Sequence, residues 1–492
     1  MVGRFPETLR RPRGQFPEYI RRSNLSDTRL GKFLVFPIGF LRVCALGGIL
    51  VLALGAPAPT SAEPRSPEGS PEGRAAKAFQ HSDYDQVTRL YLEQASKGNT
   101  GNLPSSLLRM ATISYIRLGR SEEALTLYKR LMPGGTPEDR PLLRELAWGM
   151  VSGHVRDPQE HVRASAYTVL GELRTPAVVP LLEDGLLDTS VMVRAKAAEA
   201  LGRYGKPTKT SHLLRLLDDP SPSVRMAAMT ALGELGVRTA QERLTPLTRG
   251  QDGAEPIFAA AALVRLGHED MLTDILNAAT FPEPEIRMAA LGVLGRLRRP
   301  NTLSVLSQAV YDPEASVRAF AAGALGEFGH PNTTAPLTHA IGDENPRVRS
   351  IAAASLGRLG GAHVRQLLQP LRKDADDLVR ASAIEGLVRS GEPDILLVAA
   401  DLAKHPAPMV RATVAQGIGV PGHRPALGLL EQLLRDQHPQ PRLASARALG
   451  RIGPLSISLL VKGLEDSDAA VRVAAAGSLL MVIDGPRQGK AP

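Results

Sequence analysis

Between Asp343 and Gly360 the chain reads DENPRVRSIAAASLGRLG, with apolar or small side chains at Val348, Ile351, Ala352, Ser355, Leu356 and Leu359. That three-and-four spacing predicts a helix with one buried face. Asn345 and Pro346 supply its start, a capping side chain followed by a residue whose missing N–H is not needed in a first turn, and Gly360 supplies its stop. A second helix follows with Val364, Leu367, Leu368 and Leu371 on one face, after which Asp374 opens the pattern again. The unit is a helical hairpin, and it recurs about eleven times.

One position carries the phase. Arg163, Arg194, Arg225, Pro256, Arg287, Arg318, Arg349, Arg380, Arg411 and Arg442 stand 31 residues apart, and Arg472 follows after 30. Six residues before it stand Asp157, Asp188, Asp219, Asp312, Asp343, Asp374, Asp436 and Asp466. Buried charges persist when paired, and a guanidinium presents five donors in a planar fork. The repeated aspartates and arginines are therefore expected to form a structural ladder, each arginine bonding the carboxylate of its own or a neighbouring unit. Catalysis would need one special constellation rather than eleven equivalent ones. The unit at Pro256 lacks both residues but keeps PIFAAAALVRLG in phase, which marks a decayed repeat. Ser190, Ser221, Asn345, Asp376 and Asp468 occupy the cap position, and Pro222, Pro284, Pro346, Pro408 and Pro439 the first helical one.

The pattern V-R-x-x-A-x-x-x-L-G-x-L-G, with a period near thirty, resembles the short HEAT-like repeats named after phycocyanobilin lyases, over about two thirds of the chain. The resemblance implies an all-α fold, an alpha-alpha superhelix or solenoid. It says little about function, because such repeats serve scaffolds, adaptors and a few enzymes. Upstream, LLRMATISYIRLGRSEEALTLYKRLMPGGTPED resembles a tetratricopeptide repeat at Ala111, Tyr115, Gly119, Ala124, Tyr128 and Pro137, and a weaker copy has Val87 and Tyr91. A third helix pair holding Leu143, Leu146, Ala147 and Trp148 joins this region to the array, with Trp148 read as core. The predicted domains are a leader (1–62), a linker (63–74), a tetratricopeptide-like region (75–153), the array (154–484) and a tail (485–492). Eleven stacked hairpins predict an arc roughly 100 Å long. Its concave side is expected to be lined by the second helices, whose charges are mixed: Glu183 and Asp184, Arg215, then Arg365, Arg372 and Lys373, then Glu431 and Arg435.

Charge changes the picture mainly at the start. The chain carries a formal +9, but residues 1–62 hold nine Lys or Arg against Glu7, Glu18 and Asp27, a net +6, which leaves only +3 on the remainder. A body so nearly neutral, with 4% aromatic residues, lacks the basic footprint and stacking platforms of a nucleic-acid binder. Residues 33–56 form an apolar run broken by Arg42, preceded by basic residues and followed by a small, Pro-rich exit. That is the plan of a secretory signal, with cleavage expected after Ala62, or of a retained anchor. The body is expected to be exported, in a bacterial-type envelope, with a cytoplasmic location as the alternative. Cys44, the sole cysteine, lies in this leader, so the body has no disulfide and no thiolate metal site.

No chemical site emerges. His268-Glu269 is a single pair, whereas the HEAT-type deoxyhypusine hydroxylases that it resembles need several. The other histidines show no metal-ligand spacing. Gly417-Ile418-Gly419 follows a helix rather than a strand and cannot cradle phosphate. The expectation is a scaffold or adaptor that is not an enzyme, with no cofactor and with protein partners along the concave face. The alternatives are a lyase-like enzyme or accessory and a cytosolic nucleic-acid binder.

Overall fold

A computed structural model describes residues 69–97, 103–132, 139–173, 175–205, 210–250, 253–361, 363–392 and 394–485. All described residues belong to one compact unit within Pro64–Pro492. The leader, its cleavage position Ala62, Pro137 and the tail from 486 lie outside the described residues. The predicted linker is too long by four residues. Pro71 begins a helix because the Ser70 hydroxyl accepts the Gly73 N–H at 3.0 Å and Glu72 complements the positive end of the first turn.

Among the described residues the fold is all-helical. Five helices come first: α1 (Pro71–Gln80), α2 (Tyr84–Ser96), α3 (Ser105–Arg117), α4 (Ser121–Leu131) and α5 (Arg140–Gly153). The first four pair as hairpins. Gly119 turns the second one at φ 74°, and Val87, Tyr91, Ala111, Tyr115, Ala124 and Tyr128 are all buried between the helices. Trp148 is half-buried against the core.

In the array, long helices alternate with short ones. The long ones are α6 (Glu160–Glu172), α8 (Val191–Tyr204), α10 (Pro222–Glu234), α12 (Glu255–Arg265), α14 (Pro284–Leu297), α16 (Ala315–Phe328), α18 (Pro346–Leu359), α20 (Asp377–Arg389), α22 (Pro408–Ile418), α24 (Pro439–Ile452) and α26 (Ala469–Asp484). The short ones are α7 (Val178–Gly185), α9 (Ser211–Arg215), α11 (Gln241–Leu247), α13 (Leu272–Ala278), α15 (Leu303–Gln308), α17 (Thr334–Ala340), α19 (Val364–Leu368), α21 (Ile395–Leu402), α23 (Leu427–Leu433) and α25 (Ile457–Gly463). The five prolines begin long helices as predicted. Ser190, Asn345, Asp376 and Asp468 cap through their side chains, whereas the Ser221 hydroxyl bonds Ser223 instead.

Each long helix packs along the next, while successive short helices make no comparable contact. Elements on the inside of a curve are crowded and those on the outside splay, so the long helices form the inner layer. This reverses the expected placement: the second helices, with Arg215, Arg365 and Glu431, lie on the outer side. Close inner packing depends on glycine. A Cβ on Gly171 would lie 2.7 Å from that of Ala200, and Gly295 and Gly419 face Ala324 and Ala448 in the same way.

The array does not end as an open arc. α26 packs on both α5 and α6, and Gly477 meets Val169, which stands six residues after the phase arginine. In most of the other units that position receives a glycine of the preceding helix, as Ala200, Ala324 and Ala448 do. The end of the array is thus seated where a preceding repeat would be, and the helices form a closed circuit. Lys129–Glu465 at 2.8 Å, Arg144–Asp484 at 2.7 Å and Arg472–Glu122 at 3.5 Å flank the seam.

Candidate functional site

The ladder is present, and it runs between units. Arg349 places Nε 2.9 Å and one terminal nitrogen 2.8 Å from the two oxygens of Asp374, twenty-five residues on. Its other terminal nitrogen donates to the carbonyls of Asp343 and Glu344. Arg163–Asp188, Arg194–Asp219, Arg287–Asp312, Arg318–Asp343, Arg411–Asp436 and Arg442–Asp466 repeat the bidentate pair. Each of these aspartates also accepts a backbone N–H two residues on, as Asp374 does from Asp376 at 2.9 Å. Burial by itself would raise the carboxyls of Asp188, Asp219, Asp343, Asp374 and Asp436. The arginine bonds, the backbone N–H and guanidinium charge outweigh it and hold all five below the ordinary range.

Four predicted members depart from the pattern. Asp157, first in line, accepts the Gln159 N–H with its carboxylate and the Arg163 guanidinium only through its carbonyl. Arg225 has Gly250 where the next aspartate would stand, and its fork closes on Glu255 instead. Arg380 faces His405 at the aspartate position and pairs with Asp377, which the His405 Nε2 also approaches at 2.8 Å. Arg472, on the last of the described helices, reaches Glu122 of α4 across the seam. The repeated polar residues are therefore used up in joining repeats.

Position 256 breaks the ladder on both sides of one joint. Pro256 replaces the arginine, and Phe281, twenty-five residues on, replaces its aspartate. A cleft of about 540 Å³ opens there between α12, α13 and the start of α14. Its floor includes Ile257, Ala260 and Ile275, and Phe281 stands 51% exposed at its edge. The second recess, about 410 Å³, lies on the inner layer from α8 to α14, with Met226 and Phe258 among Glu199, Arg203, Glu234 and Arg296. Burial raises the Glu234 carboxyl, with Arg265, Arg296 and Arg203 opposing; burial likewise lowers the Arg265 guanidinium, with Glu234 opposing.

The remaining candidates are structural. Glu269 takes the Arg299 guanidinium at 2.5 Å, so the His268-Glu269 pair is an ordinary loop contact. Among the described residues no group of three or more His, Cys, Asp or Glu could hold a metal ion. One residue escaped sequence reasoning: the Glu392 side chain, 3% exposed, receives Arg365 at 2.6 Å and Arg372 at 2.7 Å. Nothing in its local sequence signals that burial.

This closed stack of hairpins belongs to a known class. A family model described as HEAT repeats matches residues 149–233, 188–255, 241–316, 303–387, 364–431 and 426–489, and the chain belongs to that family. Its 31-residue step resembles that of the short, phycocyanobilin-lyase-like type of HEAT repeat. Similar solved structures include human deoxyhypusine hydroxylase in complex with glycerol, at 20% identity over 52% of this chain and 99% of that one, TM-score 0.29. The complex of CpcE and CpcF of phycocyanin lyase from Nostoc sp. PCC7120 is 20% identical over 54% and 94%, TM-score 0.30. An engineered protein is 18% identical over 70% and 98%, TM-score 0.27. No curated protein matches the chain.

Proposed function

We propose that this protein is a non-enzymatic scaffold that binds one or more other proteins. The coarse part, a helical scaffold of HEAT repeats, follows from the family and the fold. The observation that supports the rest is the inner recess, where the half-buried side chains of Met226 and Phe258 are interleaved with charges of both signs. Polyanions select a basic stripe, whereas protein surfaces are met by apolar anchors among mixed charge. The basic leader and apolar run in residues 1–62 support a body that works outside the cytoplasm, cleaved or tethered. Among the described residues no helix is long and apolar enough to cross a membrane.

Photo-cross-linkers at Met226 on the inner layer and at Arg215 on the outer one test the binding reading in cells. Discrete protein adducts from the Met226 position are expected. Co-purification of a chromophore or metal, or steeply salt-dependent binding to DNA, would overturn it in favour of a lyase-like enzyme or a nucleic-acid binder. Location has its own test: a reporter active only outside the cytoplasm, fused after Ser66 so that α1 stays intact, should be active, and silence would refute export.

A further inference from the structure

We infer that the cleft at the broken rung is the seat for an extended peptide segment of a partner protein, one with large apolar side chains flanked by lysine or arginine. This inference rests on the scaffold reading and adds the site and the chemistry of the partner. The two substitutions that make the cleft are matched. A rung needs an arginine and, twenty-five residues later, an acid; here Pro256 and Phe281 remove both halves of the same rung, while Arg225 just before and Arg287 just after keep bidentate partners in Glu255 and Asp312. A repeat losing function by drift would more often leave one buried charge stranded. Instead the gap is apolar, with Ile257 and Ile275 at its base and Ile286 half-buried beside the exposed Phe281.

The rim decides the partner. Asp274, Glu283 and Glu285 line the cleft and are exposed, and among the described residues no Lys, Arg or His lines it. Asp274 and Glu285 have no ion pair among the described residues, and Arg287, which lies near Glu283, is committed to Asp312. This is an acidic edge on a chain whose formal charge is +9. Glu283 and Glu285 also stand at the start of α14, where they cancel the positive end of the helix and disfavour an anion. The cleft volume, about 540 Å³, lies within the ~300–1,000 Å³ span of ligand clefts and has room for more than one large side chain. Apolar anchors in the floor with cations at the rim satisfy both parts of the site.

The test uses the full chain and three fluorescent dodecapeptides read by anisotropy. One has a central Leu-Phe pair flanked by lysines, one has the same pair flanked by glutamates, and one has serines in place of the pair between lysines. The first alone should bind. Asp274→Asn with Glu285→Gln, both exposed and outside the core, should weaken it roughly tenfold and flatten its salt dependence. Pro256→Arg with Phe281→Asp rebuilds the rung across the cleft; this variant should melt no lower than wild type and lose binding. Equal binding of the three peptides, or unchanged binding to both variants, would overturn the proposal. So would binding that appears only after Arg10, Arg11 and Arg13 are changed to serine, which would mean that the chain's own leader fills the cleft, or a self-association that the first peptide fails to displace. If the cleft fails while Met226 still cross-links proteins, the scaffold stands and only this site falls.

Discussion

Replacing Arg349 by alanine isolates one complete rung. The guanidinium makes two charge-assisted bonds to Asp374 and two to the carbonyls of Asp343 and Glu344, at 2.8–3.0 Å. The side chains are only 17% and 10% exposed, so water cannot fully replace what is lost. Removing one partner of a fully buried pair costs ~3–5 kcal/mol, and an exposed pair is worth ~0–1. Asp374 keeps the Asp376 N–H and some solvent, which places the expected loss between these limits, at about 2–3 kcal/mol. Arg215→Ala is the control, since Arg215 is exposed on α9 and has no ion pair among the described residues. Urea unfolding measures the loss. Native-state hydrogen exchange should localise it to the joint between α18 and α20, as expected where stability is summed over neighbouring repeats. Equal costs at Arg349 and Arg215, or protection lost evenly around the circuit, would refute the ladder as the joint between repeats.

Arg372, which the sequence places on an exposed helix, should not be neutral: Arg372→Ala should cost about 1 kcal/mol while Arg365 still holds Glu392, and the double change with Arg365→Ala about 3 or more, read by urea unfolding. The five rung aspartates with lowered carboxyls contribute stability that is complete above the unfolded aspartate value, about pH 4, and is lost as pH falls further through the native values, so Tm should drop steeply there; a flat profile from pH 5 to 2 would contradict the rungs. Gly357→Ala puts a Cβ 2.8 Å from the Gly386 amide nitrogen, where a backbone cannot yield, and should cost about 1–3 kcal/mol in thermal unfolding. In a Cys44→Ser background, Lys129→Cys with Glu465→Cys should be joined across the seam by a bis-maleimide cross-linker that replaces the span of the two side chains; deleting Asp343–Lys373 keeps the rungs in register, because Arg318 then meets Asp374, but removes one step of the circuit and should abolish that cross-link.

What the sequence determined is what repeats locally. The spacing of Val348, Leu356 and their equivalents specified the long helices, proline and the capping residues set their starts, and the recurrence of an aspartate six residues before each arginine made a ladder legible, while the structure decided that Arg349 takes Asp374 of the next unit. The unit at Pro256 was legible as decayed, but the cleft beside it was not, because its missing partner, Phe281, has meaning only once the rung is known to run forward to the next repeat. The tertiary structure decided what depends on summed curvature. A small turn at each joint, set by how closely a glycine such as Gly171 lets Ala200 approach, leaves no mark in any one unit, yet over eleven units it determines which helices face inward and whether the ends meet. That is why the inner layer, the seating of Gly477 on Val169 and the Arg472–Glu122 contact across the seam could not be read from the chain: the last two join residues more than three hundred positions apart, and the geometry behind all three is a property of the whole circuit.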